Sequence, residues 1–263
     1  MHRRRDRLQI LPALAACLAP AACAHVPVQV HSPLLDSPQF VADMAANDGL
    51  VIGEIHGTSE APAAFAALVE SLPGRTLVAI EQPVDAAALD CAGGPLPPSW
   101  RGPEPDGRSS IAMFDMMCRL RALEKRGKVE VLLVDDRAPD KPQYYDTAAA
   151  AIRTAMARGG YDRFLAYTGN FHSSIAGGHL PEALQSEGLR SLGVTMSSPA
   201  GTAWMCRIEG EGQVCGIVGT SGTFCPEDGA AKPGWRRYES VPRQWDRCMT
   251  LPSMTASNPA AAR

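Results

Sequence analysis

The sequence lacks the basic patch of a nucleic-acid-binding protein, and its mature part lacks the long apolar runs of a membrane-spanning protein. Its 25 basic and 28 acidic residues give a formal net charge of −3, and four of the arginines lie within the first seven residues. No basic patch follows, so binding to nucleic acid is not predicted. After residue 24, no apolar run approaches the roughly 20 residues that a membrane-spanning helix needs. We therefore expect the mature chain to contact a membrane only through an attached lipid.

Three common active-site motifs are also missing. The chain has no G-x-S-x-G nucleophile elbow, no P-loop or G-x-G-x-x-G pattern, and no C-x-x-C pair. These absences argue against a serine nucleophile on an elbow, a glycine-loop phosphate site and a cysteine metal site. Catalytic chemistry, if there is any, is expected from other side chains.

The N-terminus carries an export signal. Residues 1–24 combine an arginine-rich start, an apolar stretch and the small-residue cleavage site Ala22-Cys23-Ala24, the pattern of a secretory signal peptide. Lipidation at Cys17 or Cys23 is the alternative, because each ends a short segment that resembles a lipoprotein box. The prediction is a periplasmic or secreted protein, or an outer-membrane-anchored lipoprotein.

The cysteines agree with export. Six remain after the signal, and an even number in an oxidising compartment favours disulfides. Several pairings are open, and we choose the sequential one. The predicted disulfides are Cys91–Cys118, Cys206–Cys215 and Cys225–Cys248. The middle pair is best supported, because its cysteines flank a predicted hairpin loop at residues 209–212.

Short apolar runs alternate with helical periodicity along most of the chain. The predicted strands cover residues 50–53, 77–80, 129–134, a run beginning at residue 164, and 192–196; the predicted helices cover 37–46, 61–72, 111–125, 141–158 and 181–187. Strands alternating with helices predict an α/β fold with a mainly parallel central sheet flanked by helices. A C-terminal antiparallel hairpin at residues 203–218 is expected to lie at an edge of that sheet.

The domain boundaries follow from composition. Residues 25–220 are predicted to form a single α/β domain, and residues 221–263 a disulfide-rich C-terminal extension that ends in a loose tail from residue 258. A long loop rich in glycine and proline, residues 84–109, interrupts the alternation. Long loops of this kind are usually binding loops or lids, or else disordered. We expect this one to cover the site, held by Cys91 and Trp100.

The candidate site lies where the strands end. In a parallel sheet the carboxyl ends of the strands share one edge, where ligands gather. Two strands end in the similar motifs Gly53-Glu54-Ile55-His56 and Gly169-Asn170-Phe171-His172. The acid, imidazole and amide side chains at four strand ends are Glu54 and His56, Glu81, Asp135 and Asp136, and Asn170 and His172, with Thr58 and Glu60 just beyond the first.

This set of side chains supports two kinds of chemistry. Glu54, His56, Glu81 and His172 are candidate ligands for a divalent transition metal such as Zn, Mn or Co. Alternatively, a histidine oriented by a carboxylate acts as a general base on water without a metal. Thr58, Glu60, Asp135, Asp136 and Asn170 are candidate substrate-binding residues.

The same motifs resemble those of a known superfamily. Gly53-Glu54-Ile55-His56-Gly57-Thr58-Ser59-Glu60, Glu81 on the next strand, and Gly169-Asn170-Phe171-His172 are similar to motifs of the erythromycin esterases, ChaN-like haem-binding lipoproteins and TraB/TIKI proteins. The resemblance covers roughly residues 48–200. It implies an α/β fold with its site at the strand ends. It also implies lactone hydrolysis by a histidine matching His56, metal-dependent proteolysis, or haem binding, according to the branch.

Two functional hypotheses follow. The first is an exported hydrolase of ester, lactone or peptide bonds, acting on a small-molecule or peptide substrate. In it His56 activates water, and Glu54, Glu81 and His172 orient it or hold a metal. The alternative is a ChaN-like haem- or iron-binding protein without catalysis, for which Tyr161 and Tyr167 are candidate iron ligands.

Overall fold

The structure is a computed structural model, and it describes residues 32–101, 107–134, 141–210, 212–221, 225, 234–240 and 242–262. The predicted signal, Asp135 and Asp136 lie outside these ranges. The helices are α1 (Pro38–Ala46), α2 (Glu60–Ser71), α3 (Ile111–Lys125), α4 (Lys141–Ala157) and α5 (Leu180–Ser186). The strands are β1 (Gly49–Glu54), β2 (Thr76–Glu81), β3 (Val129–Val134), β4 (Arg163–Gly169), β5 (Ser191–Ser197), β6 (Ala200–Glu209), β7 (Gly212–Ser221), β8 (Gly234–Arg237) and β9 (Arg247–Thr250).

The predicted fold class is confirmed. Seven strands form one sheet in the order β3-β2-β4-β1-β5-β9-β8. All neighbouring pairs in it are parallel except β8 with β9. The order differs from the chain order, because β4 inserts between β1 and β2. Three strands that are distant in sequence therefore end side by side.

Helices cover both faces of the sheet. Alternate residues of β1 point to opposite faces: Leu50 and Ile52 join the core under α2 and α3, whereas Val51 joins the core under α4 and α5. Every residue of β1 and of β2 is buried, as expected for central parallel strands with two covered faces. The buried strands fix the positions of the polar residues at their ends.

The predicted position of the hairpin is wrong. β6 and β7 pair with each other in a separate two-stranded sheet and not with an edge of the main sheet. The edge is instead extended by β8 and β9, which were not predicted, because their short sequences GWRR and RCMT carry arginines where a buried strand would be apolar.

The C-terminal residues are packed onto the domain and do not form a loose tail in the described part. The carbonyl of Asn258 accepts a hydrogen bond from the backbone N–H of Ile111 at 2.8 Å, and Ala260 is buried. Thr255 and Ser257 bond to the chain just after β1. The extension thus braces the edge of the sheet where the site lies.

All three disulfides have the predicted sequential pairing. Cys206 and Cys215 are directly opposite each other in the β6–β7 hairpin. Three disulfides indicate an oxidising, extracellular or periplasmic environment. Among the described helices, none is both long and apolar enough to cross a membrane.

Removing the Cys91–Cys118 disulfide should destabilise the fold. This bond ties the 84–109 loop to α3 across a sequence separation of 27 residues. Closing a loop of this length stabilises a protein by about 3–4 kcal/mol in the chain-entropy account. We expect the double variant Cys91→Ala/Cys118→Ala to lose about that much free energy of unfolding in urea denaturation. The matched variant Cys206→Ala/Cys215→Ala removes a disulfide that closes a shorter loop, so it should lose less free energy of unfolding. An equal or larger loss in that variant would contradict the chain-entropy account.

Candidate active site

The site is built on the ends of three neighbouring strands. Glu54 ends β1 and Glu81 ends β2, and the end of β4 lies between them, with Gly169 paired to Glu54. Both carboxylates are almost fully buried, with exposed fractions of 2% and 3%. A buried carboxylate needs hydrogen bonds or an opposite charge, and the surrounding residues provide both.

Glu54 fixes the imidazole of His56. Its Oε1 lies 2.9 Å from Nδ1 of His56, so the second ring nitrogen, Nε2, points away from Glu54. Burial alone would lower the pKa of His56, but the bond to Glu54 and the nearby charge of Glu81 outweigh it and raise the pKa to about 10. The side chain of His56 is 28% exposed, so the ring can be reached from solvent.

Glu81 is the centre of the cluster. Its Oε1 lies 3.1 Å from a guanidinium nitrogen of Arg108 and 3.7 Å from Nε2 of both His56 and His172. Its Oε2 accepts the backbone N–H of Gly169 at 2.7 Å. Burial opposes ionisation of Glu81, yet the contacts with His56 and His172 and the Gly169 N–H prevail and lower its pKa to about 2. Glu81 is therefore a carboxylate at any ordinary pH.

Gly169 leaves the space that the His56 ring occupies. A Cβ on Gly169 would lie 2.8 Å from Nε2 of His56, which is closer than real contacts allow. Gly53 has a similar role on β1, because a Cβ there would lie 2.1 Å from Oγ of Ser173. The two motifs therefore need glycine at their first position to let the strand ends approach each other.

His172 is held by a tyrosine from α4. The hydroxyl of Tyr145 lies 2.9 Å from Nδ1 of His172, and the rings of Tyr144 and Tyr145 both pack against the imidazole, at 5.3 and 5.6 Å between centroids. His172 is 8% exposed. Its Nε2 is thus directed toward Glu81, as is the Nε2 of His56.

A second buried group lies behind Glu54. Oε2 of Glu54 and the hydroxyl of Tyr167 are both buried without a hydrogen-bond partner among the described residues. Burial raises the pKa of Glu54 despite the opposing effect of His56, and burial together with Glu54 raises the pKa of Tyr167 well above its usual value. Tyr167 therefore stays neutral beside Glu54.

The described end of the 84–109 loop contributes a side chain to the site. Arg108 comes from the end of this loop, and a Cβ on Gly107 would lie 2.4 Å from the carbonyl carbon of His56. Trp100 is fully buried and donates a hydrogen bond from Nε1 to Gln82 at 3.1 Å. The loop is thereby pressed against the turn that carries His56.

The candidate substrate-binding residues lie at different distances from the cluster. The carboxylate of Glu60 lies at the first turn of α2 and accepts hydrogen bonds from Thr255. Thr58 is fully buried and donates its hydroxyl to the Ile55 carbonyl at 3.2 Å. Both hold the turn together and do not face Glu81. Asn170 lies beside the cluster, with its N–H bonded to the Glu54 carbonyl at 2.9 Å; Asp135 and Asp136 lie outside the described residues.

Three residues of the site were not found from the sequence. Arg108 follows an irregular loop, Tyr145 lies within a helix, and Tyr167 was considered only as an iron ligand. A local pattern that could have indicated Arg108 or Tyr145 is missing, because neither follows a strand. The position of Tyr167 could have indicated its place in the site, because it lies two residues before the Gly169 motif, on the face that β4 shares with β1.

The described residues of the site are not arranged as a transition-metal centre. Among the described residues, no group of three or more histidine, cysteine, aspartate or glutamate side chains is placed to hold a metal ion. Oε1 of Glu54 is bonded to Nδ1 of His56, and both oxygens of Glu81 are engaged by Arg108 and Gly169. A guanidinium 3.1 Å from Oε1 of Glu81 also places positive charge where a cation would bind.

The two tyrosines considered for haem do not meet. Tyr167 lies near the carboxyl end of β4, next to Glu54. Tyr161 precedes the other end of β4, where its hydroxyl bonds Glu130 and its ring packs under Arg75. These two residues therefore cannot share one iron.

Comparisons with known proteins support the fold alone. The chain matches no model of a known protein family, and no curated protein matches it in sequence. Among solved structures, it is similar to a succinoglycan biosynthesis protein, with 10% identity and a TM-score of 0.51 over 86% of this chain and 93% of that one. It is also similar to the type III effector HopBA1, with 14% identity and a TM-score of 0.46 over 81% and 91% of the two chains.

Proposed function

We propose that the chain is an exported hydrolase of ester, lactone or peptide bonds in which His56 takes the proton from the attacking water. The observation that carries the proposal is the anchored imidazole: Glu54 holds Nδ1 of His56 at 2.9 Å, and Nε2 is left facing the site. A histidine that a carboxylate orients at one nitrogen, and whose other nitrogen faces the reaction space, is the usual arrangement of a general base. In this site that second nitrogen lies 3.7 Å from Oε1 of Glu81.

The two carboxylates give His56 a high proton affinity. After His56 has taken a proton from water, the imidazolium lies between Glu54 and Glu81, which stabilise its charge. The same stabilisation keeps His56 protonated at neutral pH, so the neutral base is a minor form there. His172, whose Nε2 faces the same oxygen of Glu81, is placed to hold the water or the substrate carbonyl.

The sequence motifs point the same way. Their resemblance to the erythromycin esterases, ChaN-like proteins and TraB/TIKI proteins is a prediction that favours hydrolysis of an ester or lactone. Export through residues 1–24, with cleavage after Ala24 or lipidation at Cys17 or Cys23, belongs to the same proposal.

Activity should rise with pH well into the alkaline range. The pKa of His56 is raised to about 10, so the fraction of neutral His56, and with it kcat/KM, should increase toward that pH. Glu81→Gln removes one negative charge beside the ring and should move the ascending limb to lower pH, by about 1–3 units. The measurement is the pH profile of kcat/KM on a panel of p-nitrophenyl esters and lactones, paired with NMR titration of the histidine ring protons.

The matched control is Glu70→Gln, since Glu70 pairs with Arg119 on the surface of α2 and does not contact the cluster. Its profile should match that of the wild type. Parallel assays after dialysis against a chelator should keep full activity. This mechanism is overturned if the ascending limb of the wild-type pH profile lies near the ordinary pKa of histidine, if Glu81→Gln does not shift that limb, or if activity needs added zinc. The proposed function is overturned if no ester, lactone or peptide is hydrolysed.

A further inference from the structure

A pocket of about 410 Å³ lies beside the cluster, and we name it the Phe171 pocket. It lies between the turn that follows β4 and the segment just before β9. It is lined by the rings of Phe171, His179 and Trp245 together with Asn170, Ser174, Ala176 and Gln244. Its volume is within the roughly 300–1,000 Å³ of small-molecule sites.

The walls of the pocket are aromatic and carry no permanent charge. The rings of Phe171 and His179 pack together with centroids 4.3 Å apart, and Trp245 forms the opposite wall. Three polar side chains of these walls, Ser174, His179 and Trp245, have partners within the protein, whereas Nδ2 of Asn170 has no hydrogen-bond partner among the described residues. Nε1 of Trp245 donates to Oγ of Ser173 at 3.0 Å, and Nδ1 of His179 bonds the Phe171 carbonyl. The surface left for a ligand is therefore mainly apolar.

Phe171 is the unusual member of this surface. Its side chain is 60% exposed, although the residues on either side of it in the chain are each 8% exposed. An exposed aromatic ring has no role in the core. Here it stands at the mouth of a pocket with an aromatic wall opposite.

The pocket adjoins the candidate active site through the turn that follows β4. Phe171 directly precedes His172, and their rings are in edge-to-face contact with centroids 5.7 Å apart. Asn170, at the base of the pocket, bonds the Glu54 carbonyl through its own N–H. A group bound in the pocket would therefore lie next to the histidine that faces Glu81.

We propose that the Phe171 pocket binds an uncharged aromatic ring of the substrate, so that the hydrolase acts on esters or lactones bearing a phenyl or similar group. The inference rests on the proposed function. Aromatic rings in offset or edge-to-face contact gain stabilisation beyond the burial of their area. An aliphatic chain of similar size would lack the stabilisation from ring–ring contacts. A charged group would lose its hydration without an opposite charge to compensate.

Binding is tested separately from turnover with a ligand that cannot be hydrolysed. The probe is 4-phenylbutan-2-one, compared with butan-2-one, which lacks the ring; affinity is measured by isothermal titration calorimetry. The wild type and His56→Ala should both bind the phenyl ketone more tightly than butan-2-one. Phe171→Ala should weaken binding of the phenyl ketone about tenfold, whereas Val41→Ala, at an exposed apolar residue of α1, should not change it.

Turnover supplies the second arm. The ratio of kcat/KM for p-nitrophenyl phenylacetate to that for p-nitrophenyl acetate should fall about tenfold in Phe171→Ala and stay unchanged in Val41→Ala. Equal binding of the two ketones by the wild type, or an equal effect of the two variants, overturns the pocket. Tight binding of the phenyl ketone with no hydrolysis of any ester supports ring binding in the Phe171 pocket and overturns the proposed hydrolase. Hydrolysis of esters without preference for the ring supports the hydrolase and overturns ring binding in the pocket.

Discussion

His56→Ala is expected to lower kcat/KM for the best ester substrate by about 10²–10⁴-fold, the range that a positioned general base supplies. The variant removes Nε2, the nitrogen that faces Glu81 and Gly169, without touching the strands. Because part of the side chain is exposed, the fold should tolerate the change. The measurement is steady-state kinetics at pH 9, where the wild type has the larger fraction of neutral His56.

Two further variants separate chemistry from structure. His56→Asn keeps an N–H group near Glu54 but has no equivalent of Nε2, and it should lose as much activity as His56→Ala. Free imidazole in the buffer should restore part of the activity of His56→Ala, because it can occupy the space that the ring leaves. Activity of His56→Ala within about threefold of wild type would remove His56 from the mechanism.

Asp43→Ala is expected to lower the free energy of unfolding by about 3–5 kcal/mol, the usual cost of removing one partner of a buried ion pair. Asp43 on α1 accepts hydrogen bonds from Arg247 at 2.6 and 2.7 Å and from Nε1 of Trp235 at 2.7 Å. It thus joins α1 to β8 and β9. Its loss leaves the Arg247 guanidinium, which is mostly buried, without its carboxylate. Urea denaturation at pH 7 measures the effect.

The pH dependence gives this prediction a second readout. Burial would raise the pKa of Asp43, but the hydrogen bonds from Arg247, Trp235 and Gln39 outweigh it and lower the pKa. The stabilisation is therefore present above the unfolded pKa and is lost as the pH falls through the lower, folded value. The difference between wild type and Asp43→Asn should shrink toward acid pH. Asp48→Ala, at a more exposed ion pair with Arg190, should cost at most about 1 kcal/mol; an equal cost would contradict the role of Asp43.

Much of the fold follows from the sequence because buried parallel strands have a strong local signal. Runs such as 77–80 and 129–134 are apolar and rich in β-branched residues, and tight turns bound them. The same logic placed Glu54, Glu81 and His172 together, since any order of parallel strands brings their carboxyl ends to one edge. The structure confirms that these three residues and His56 form one cluster.

The strand order and the supporting residues could not be predicted, because they depend on tertiary packing. Nothing in β4 indicates that it inserts between β1 and β2. Tyr145 lies in an alanine-rich helix whose pattern shows only a buried face, and Arg108 follows a loop without periodicity. The contact of Glu60 could not be predicted for a related reason, because Thr255, which donates hydrogen bonds to its carboxylate, is 195 residues later in the chain.

The turn after His56 is closed by residues from the far end of the chain. The carbonyl of Gly57 accepts hydrogen bonds from the N–H groups of Trp204 and Ser257, at 2.9 and 2.8 Å. Contacts between residues so distant in sequence form late and slowly, since a long loop must close before they are made. Because β1 pairs with β4 and β5, neither this strand nor the His56 turn can be completed until those late segments and the C-terminal residues have been synthesised. The native surroundings of His56 should therefore be restored during refolding only after the C-terminal segment has docked.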